Sequence, residues 1–228
     1  MFPKNKLKAI TLSYDDGVEQ DRKLLEILNR YGVKATFNLN SGIQSGAGGW
    51  NRNGVDIRRM NAAGLPELYA GHEIAVHSLT HPHLENLDAE TVRNELSVDK
   101  ANLERLFNAP VYGMAWPFGT YNGETIRIAG ECGLRYARGT VSTRVFNVPA
   151  ADSERMNFQP TCHHDDPKLF DLAEEFVSLK PDKPCVFYLW GHSYEFDVNN
   201  NWDRIEKFCR LVSGRDGIFY AVNREVLL

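Results

Sequence analysis

The chain has 228 residues, 43% of them hydrophobic and 25% charged, with a formal net charge of -4 at neutral pH. That length suits one domain or one α/β barrel with its own core, and the composition argues against disorder. Nothing in the balance suggests the clustered basic surface that a nucleic acid requires, and no run approaches the ~18 apolar residues of a membrane span.

In chain order, strand-like and helix-like patterns alternate. Lys8–Tyr14 reads as a first core strand. Val18–Tyr31 puts Leu24, Leu25, Ile27, Leu28 and Tyr31 on one helical face, with Gly32 as a stop. Val33–Leu39 is the next strand, and the Gly-, Asn- and Ser-rich stretch Asn40–Gly54 reads as a long loop of the kind that is often functional. Glu73–His77 is a short strand, and Asp88 is placed to cap a helix running to about Phe107. Val111–Trp116 is strand-like, Asn122–Cys132 helical with Gly133 after it, and Leu134–Ala137 a strand. Asp165 or Asp166 is placed to cap a helix over Pro167–Leu179. Cys185–Trp190 has the apolar pattern of a strand buried on both faces, Trp202–Val212 is helical, and Ile218–Val222 is a last strand. No repeat or linker divides residues 1–228, so a single catalytic domain is expected.

No apolar segment with a cleavage site precedes the first strand. Cys132, Cys162, Cys185 and Cys209 are far apart and form no CxxC pair, as expected of reduced structural thiols. Together these features give as the expectation a cytoplasmic protein, or one whose leader lies outside this sequence.

Strands alternating with helices imply a largely parallel sheet, open or closed into a barrel. The polar clusters stand where strands end: Asp15-Asp16-Gly17, His77, Pro117-Phe118-Gly119 and His192. The C-terminal ends of parallel strands are where α/β folds build active sites. Adjacent carboxylates at Asp15 and Asp16 repel one another unless a cation or separate roles relieve them, although Asp-Gly is also common turn chemistry. In His77-Ser78-Leu79-Thr80-His81 the two imidazoles share a face if the chain turns helically between them. One aspartate and two histidines make a three-ligand set with open positions, which is the catalytic type of metal site. Zinc suits these donors; cobalt, nickel, iron and manganese are alternatives. His72 and His83 read as ordinary polar residues.

TLSYDDG and HSLTH resemble the first two motifs of the polysaccharide deacetylase family (carbohydrate esterase family 4, which includes chitooligosaccharide and peptidoglycan N-deacetylases). MAWPFG at 114–119 resembles the third motif and FYLWGH at 187–192 the last, so the likeness runs from Thr11 to His192. It implies an irregular (β/α)7 barrel. It also implies Asp15 as base, Asp16, His77 and His81 as ligands of a divalent metal, and His192 as acid. Substrate and oxyanion contacts fall to Trp116, Pro117, Phe118, Gly119 and Trp190, with the Phe118 N–H aimed at the oxyanion if its turn points inward.

The sequence departs from the family at Ala115, where the third motif usually has an arginine that orients the base. Arg138, Arg144 and Arg155 are the candidates to replace it. Asp165, Asp166, Glu195 and Asp197 are the candidate acidic partners of His192. His163-His164-Asp165-Asp166 is either part of the pocket or a polar loop. Trp50, Trp116, Phe118, Trp190 and Tyr194 are placed to stack on sugar faces or simply to fill core. The expected activity is removal of acetyl from an N-acetylated sugar, small or conjugated rather than a wall polymer. Hydrolysis of another C–N bond, such as an allantoinase-like cyclic amide, and non-catalytic carbohydrate binding are the alternatives.

Overall fold

The structure, a computed structural model, describes residues 1–45 and 49–228. Its centre is the strand β1 (Lys8–Asp15), in which seven of eight residues are buried. β1 lies parallel to β9 (Cys185–Gly191), itself buried throughout, over the full register from Lys8↔Cys185 to Tyr14↔Gly191. Its other edge changes partner halfway. Leu12–Asp15 pairs with β2 (Ala35–Leu39), while Lys8–Thr11 pairs with β10 (Ile218–Ala221). The sheet continues from β2 to β5 (Glu73–Val76), β6 (Gly113–Ala115) and β7 (Tyr136–Arg138), and on the far side from β9 to β8 (Cys162–His163).

One segment joins the two ends of this curled sheet. The Phe158 N–H donates to Ala137 and the Gly139 N–H to the Phe158 carbonyl, both at 3.0 Å. Three residues on, the Thr161 N–H donates to Tyr188 at 2.8 Å, and Cys162–His163 then pairs with β9. The strands β1, β2, β5, β6, β7, β8 and β9 therefore follow one another around a (β/α)7 barrel, the fold expected.

The surrounding helices follow local rules. In α3 (Ala89–Phe107) the Asp88 carboxylate accepts the Thr91 N–H at 2.9 Å, the expected cap. In α4 (Gly123–Glu131), Asn122 and Thr125 cap one another. Of the remaining longer helices, α1 (Asp21–Tyr31) packs on α7 (Trp202–Val212), which has the bounds expected and packs on α5 (Leu169–Ser178). Short α2 (Leu65–Leu68), α6 (Glu195–Val198) and α8 (Asn223–Leu227) complete the set. No described helix is long and apolar enough to cross a membrane. All four cysteines are free, with Cys162, Cys185 and Cys209 buried, as structural thiols should be.

Three expectations need correction. Val18 does not open α1, because it bridges Arg59 instead. α5 has no side-chain cap; Asp166 accepts the Lys168 N–H ahead of the helix. The Asn40–Gly54 stretch is not all loop: β3 (Gly49–Arg52) pairs antiparallel with β4 (Val55–Arg58) across Asn53-Gly54. Gly46–Gly48 of that stretch lie outside the described residues.

Candidate active site

Asp15 is the last residue of β1 and is buried. Asn38, opposite it on β2, donates to Oδ1 at 2.8 Å, and the Arg138 guanidinium of β7 donates to Oδ2. Burial alone would raise the Asp15 pKa, but Arg138, His77 and His192 outweigh it and hold the carboxyl at about 2. Arg138 is thus the one of the three candidate arginines that reaches Asp15. Its position pairs in register with Ala115, so the two residues share one face of adjacent strands. Arg144 instead pairs with Asp166, and Arg155 with Asp152.

Asp16 leaves the strand with φ 80°, anchored by its N–H on the Asn38 carbonyl at 3.0 Å and by Gln44 on its own carbonyl at 2.9 Å. His77 follows β5. Its Nδ1 is 2.8 Å from the Ala115 carbonyl, which makes Nδ1 the N–H and frees Nε2 as an acceptor. The turn to His81 is not helical, contrary to the spacing argument: Ser78 and His81 have φ of 64° and 62°. α3 holds this turn. Glu95 accepts both the N–H and the hydroxyl of Thr80, at 2.8 and 2.7 Å, and its carbonyl accepts the Leu79 N–H. Asp99 accepts the His77 N–H at 3.2 Å, and Asn40 donates to the carbonyls of His77 and Ser78. The imidazoles end edge to face with centroids 4.7 Å apart.

One donor atom from each of Asp16, His77 and His81 lies within 4.8 Å of the others. Burial lowers both histidine pKa values, that of His81 to about 4, so both rings are neutral with lone pairs to offer. Two neutral imidazoles, one with its outer nitrogen fixed on a carbonyl, and one carboxylate are a donor set that fits a divalent metal.

His192 follows β9, with Nε2 3.9 Å from Asp15 Oδ2 and Nδ1 3.3 Å from Glu195 Oε2. Burial would depress its pKa, but the hydrogen bond and charge of Glu195, with Asp15 and Asp16, carry it up to about 9. Glu195 is therefore the acidic partner among the four candidates. Asp165 serves Asn199 and Asn201, Asp166 serves Arg144, and Asp197 accepts from Trp202. The same Glu195 oxygen is 3.0 Å from His163 Nε2 and 3.4 Å from His164 Nε2. The His163-His164 pair thus supports the site from behind. His164 also requires glycine at 191, where a Cβ would come within 2.1 Å of its Nδ1.

A cavity of about 430 Å3 opens over these groups, lined by both aspartates, the three histidines and Trp50, Arg59, Trp116, Phe118, Thr140, Trp190 and Tyr194. Trp116, Phe118 and Trp190 stand where expected, but Pro117 and Gly119 do not line the cavity. They shape the turn instead, with Phe118 at φ 58° and Gly119 at φ 73°, where a Cβ would strike Thr140 at 2.1 Å. The Gly119 and Thr120 N–H groups bond back to Trp116 and Pro117, so Phe118 carries the one backbone donor of the turn outside those bonds. Its ring is half exposed and stacks on His83, centroids 3.8 Å apart. His83 itself does not line the cavity; it is paired with Glu85 and backs the Phe118 ring. His72 remains a structural residue between Ala35 and Asn29.

Sequence reading missed Arg59. Residues 58–60 pair with 17–19 through Glu19 N–H to Arg58 O at 2.9 Å and Met60 N–H to Gly17 O at 3.0 Å. This brings Arg59 Nη2 to 3.0 Å from Asp16 Oδ1.

Fold and site together define a parallel α/β barrel whose strand ends gather two carboxylates and three imidazoles around one cavity. The polysaccharide deacetylase family model matches residues 3–137, and the chain belongs to that family. It is 29% identical to the uncharacterized protein YlxY of Bacillus subtilis (strain 168), over 65% of this chain and 42% of that protein. It is 25% identical to a chitooligosaccharide deacetylase of Rhizobium leguminosarum bv. trifolii, over 64% and 63%. The match thus spans about half the length of these curated relatives. Among solved structures, the Bc1960 peptidoglycan N-acetylglucosamine deacetylase is similar, with a TM-score of 0.59 at 20% identity over 99% of this chain and 90% of that one.

Proposed function

We propose that the protein is a metal-dependent hydrolase that removes acetyl from an N-acetylated sugar. The reading rests on one observation: the Asp16, His77 and His81 donors converge within 4.8 Å, beside an ionised Asp15 whose Oδ2 lies 3.9 Å from His192. Asp16, His77 and His81 would hold a divalent ion, zinc by donor type. When bound, it polarises the acyl oxygen and brings the pKa of a water from about 16 toward about 7.

Asp15, ionised down to about pH 2, accepts the proton of the attacking water. Arg138 and Asn38 fix its two oxygens, so the accepting lone pair is held in place. His192, protonated at neutral pH by virtue of Glu195, gives its proton to the departing nitrogen. The Phe118 N–H is the backbone donor to the oxyanion. Trp116, Trp190, Trp50 and Tyr194 supply aromatic walls for a sugar ring. The β3–β4 hairpin, docked on Tyr194 through Val18 and Ile57, narrows one side of the cavity and favours a small or conjugated sugar over a long polymer.

The test is metal analysis of purified protein together with acetate release from N-acetylhexosamines and chitooligosaccharides, with cyclic amides assayed in parallel. We expect about one divalent ion per chain, and both metal and activity lost in Asp16→Asn and His77→Ala. Full activity in metal-stripped protein, or turnover of cyclic amides alone, would reject the reading.

A further inference from the structure

The cavity holds an arginine that the hydrolytic chemistry does not use. Arg59 is built in firmly: backbone pairing with residues 17–19 fixes its main chain, and its guanidinium stacks on Trp50, 4.7 Å from the ring centroid. Its side chain retains 13% exposure and lines the cavity. Nη2 meets Asp16 Oδ1 at 3.0 Å, while Nε is buried without an acceptor among the described residues. A guanidinium carries five N–H donors and stays charged, so most of its donor capacity is unspent here.

The charges around the cavity sharpen the point. Asp15 is matched by Arg138, and Glu195 by His192. Asp16 is matched by Arg59. A divalent ion on Asp16, His77 and His81 would share the Asp16 charge and leave Arg59 uncompensated beside it. Such a pocket favours a ligand that brings its own negative charge.

We propose, resting on the deacetylase reading above, that the substrate is an N-acetyl sugar bearing an anionic substituent, carboxylate or phosphate, and that Arg59 reads that group. The guanidinium is planar of itself, and the Trp50 face beneath it fixes how that plane lies, which suits a two-oxygen acceptor. Arg52 does not add to this free charge: half exposed and 5.7 Å from the Tyr194 ring centroid, it is paired with Glu195 at 3.4 Å, which leaves Arg59, among the described residues, as the cation of the cavity with donors to spare.

Calorimetry on the full chain, metal-free and zinc-loaded, tests the proposal without requiring turnover. The probes are N-acetylglucosamine, its 6-phosphate and N-acetylglucosaminuronic acid, against wild type, Arg59→Gln and Arg59→Lys, with melting curves to establish folding. At least one anionic sugar should bind zinc-loaded wild type at least tenfold more tightly than the neutral sugar. The better of the two identifies the substituent. Arg59→Gln should bring that ratio to within about twofold, and Arg59→Lys should retain part of it. Equal binding of neutral and anionic sugars, no binding of the anionic ones, or a preference that survives Arg59→Gln would each overturn it. An Arg59 that merely supports Asp16 would lower zinc content without moving the ratio, and that too overturns it. Acetate release is scored separately. Turnover without anion preference sinks this proposal and leaves the deacetylase reading standing; anion preference without turnover of any acetylated probe overturns both, leaving only an anion site at Arg59.

Discussion

Arg138 and Ala115 face the same side of neighbouring strands, so one guanidinium has two places from which it can reach Asp15. Arg138→Ala should reduce acetate release by about a hundredfold or more, since it strips a fully buried charge partner from the base. The double variant Arg138→Ala with Ala115→Arg should recover part of that activity in steady-state assays. Acid unfolding supplies a second readout. Asp15 has a depressed folded pKa, so its stabilising contribution is complete above the ordinary value of 3.8 and is lost only as pH falls through about 2. Without Arg138, burial raises that pKa and the acid midpoint should move to higher pH. His192 runs the opposite way: it stays protonated up to about 9, so activity should fall on an alkaline limb near that pH. Glu195→Gln should draw the limb down toward the ordinary 6.5, read from the pH dependence of kcat/KM. The residues of local motifs, Asp15, Asp16, His77, His81 and His192, were legible in the sequence because each sits in a recognisable run at a strand end. Arg138 and Glu195 were only candidates among several, because strand register and the turn after β9 choose between them.

At the scale of elements, the His77–His81 turn owes its shape to α3 rather than to its own sequence. Glu95→Ala removes the acceptor of the Thr80 N–H and hydroxyl and should weaken zinc binding by about 10–100-fold, measured by chelator competition, with helix content preserved. The helical expectation for this turn failed because two left-handed residues at Ser78 and His81 do the work of a helix turn. The β3–β4 hairpin is a different case. Asn53 and Gly54 have φ of 52° and 86° between paired Arg52 and Val55, the two-residue turn that Asn-Gly favours. That signal was present in the chain and was overridden by the Gly- and Ser-rich composition around it. Arg59 was hidden for the same reason, since the hairpin delivers it to Asp16.

For the molecule as a whole, the alternation of strands and helices was enough to read the barrel, but not how its floor is sealed. Below β1 and β2, Thr11 donates to Asn223 Oδ1 at 2.8 Å, and the Asn223 N–H donates to Thr36 at 2.9 Å. Glu73 accepts from Thr36 and from the Arg224 N–H, both at 2.9 Å. Removing Val222–Leu228 strips these partners and exposes the apolar contacts of Val226 and Leu227. A loss of a few kcal/mol translates into a fall of about 10 °C in Tm, measurable by calorimetry.

The barrel closes at β7 through the two backbone bonds of Phe158, continued beyond the strand by Thr143 N–H to Pro160 at 3.1 Å and Arg144 N–H to Thr161 at 2.7 Å, whereas β1 and β9 are paired in unbroken register along seven residues. Arg138 sits on that seam. Parting of the seam would carry the guanidinium away from Asp15 and leave Asp16, His77 and His81, which follow β1 and β5, in place. Amide protons of Gly139 and Phe158 should exchange with deuterium well ahead of those in β1, and a variant that tightens the seam should slow that exchange. Asp15 is thus tethered across the joint where the ring is fastened, and the hold on its carboxylate depends on that fastening.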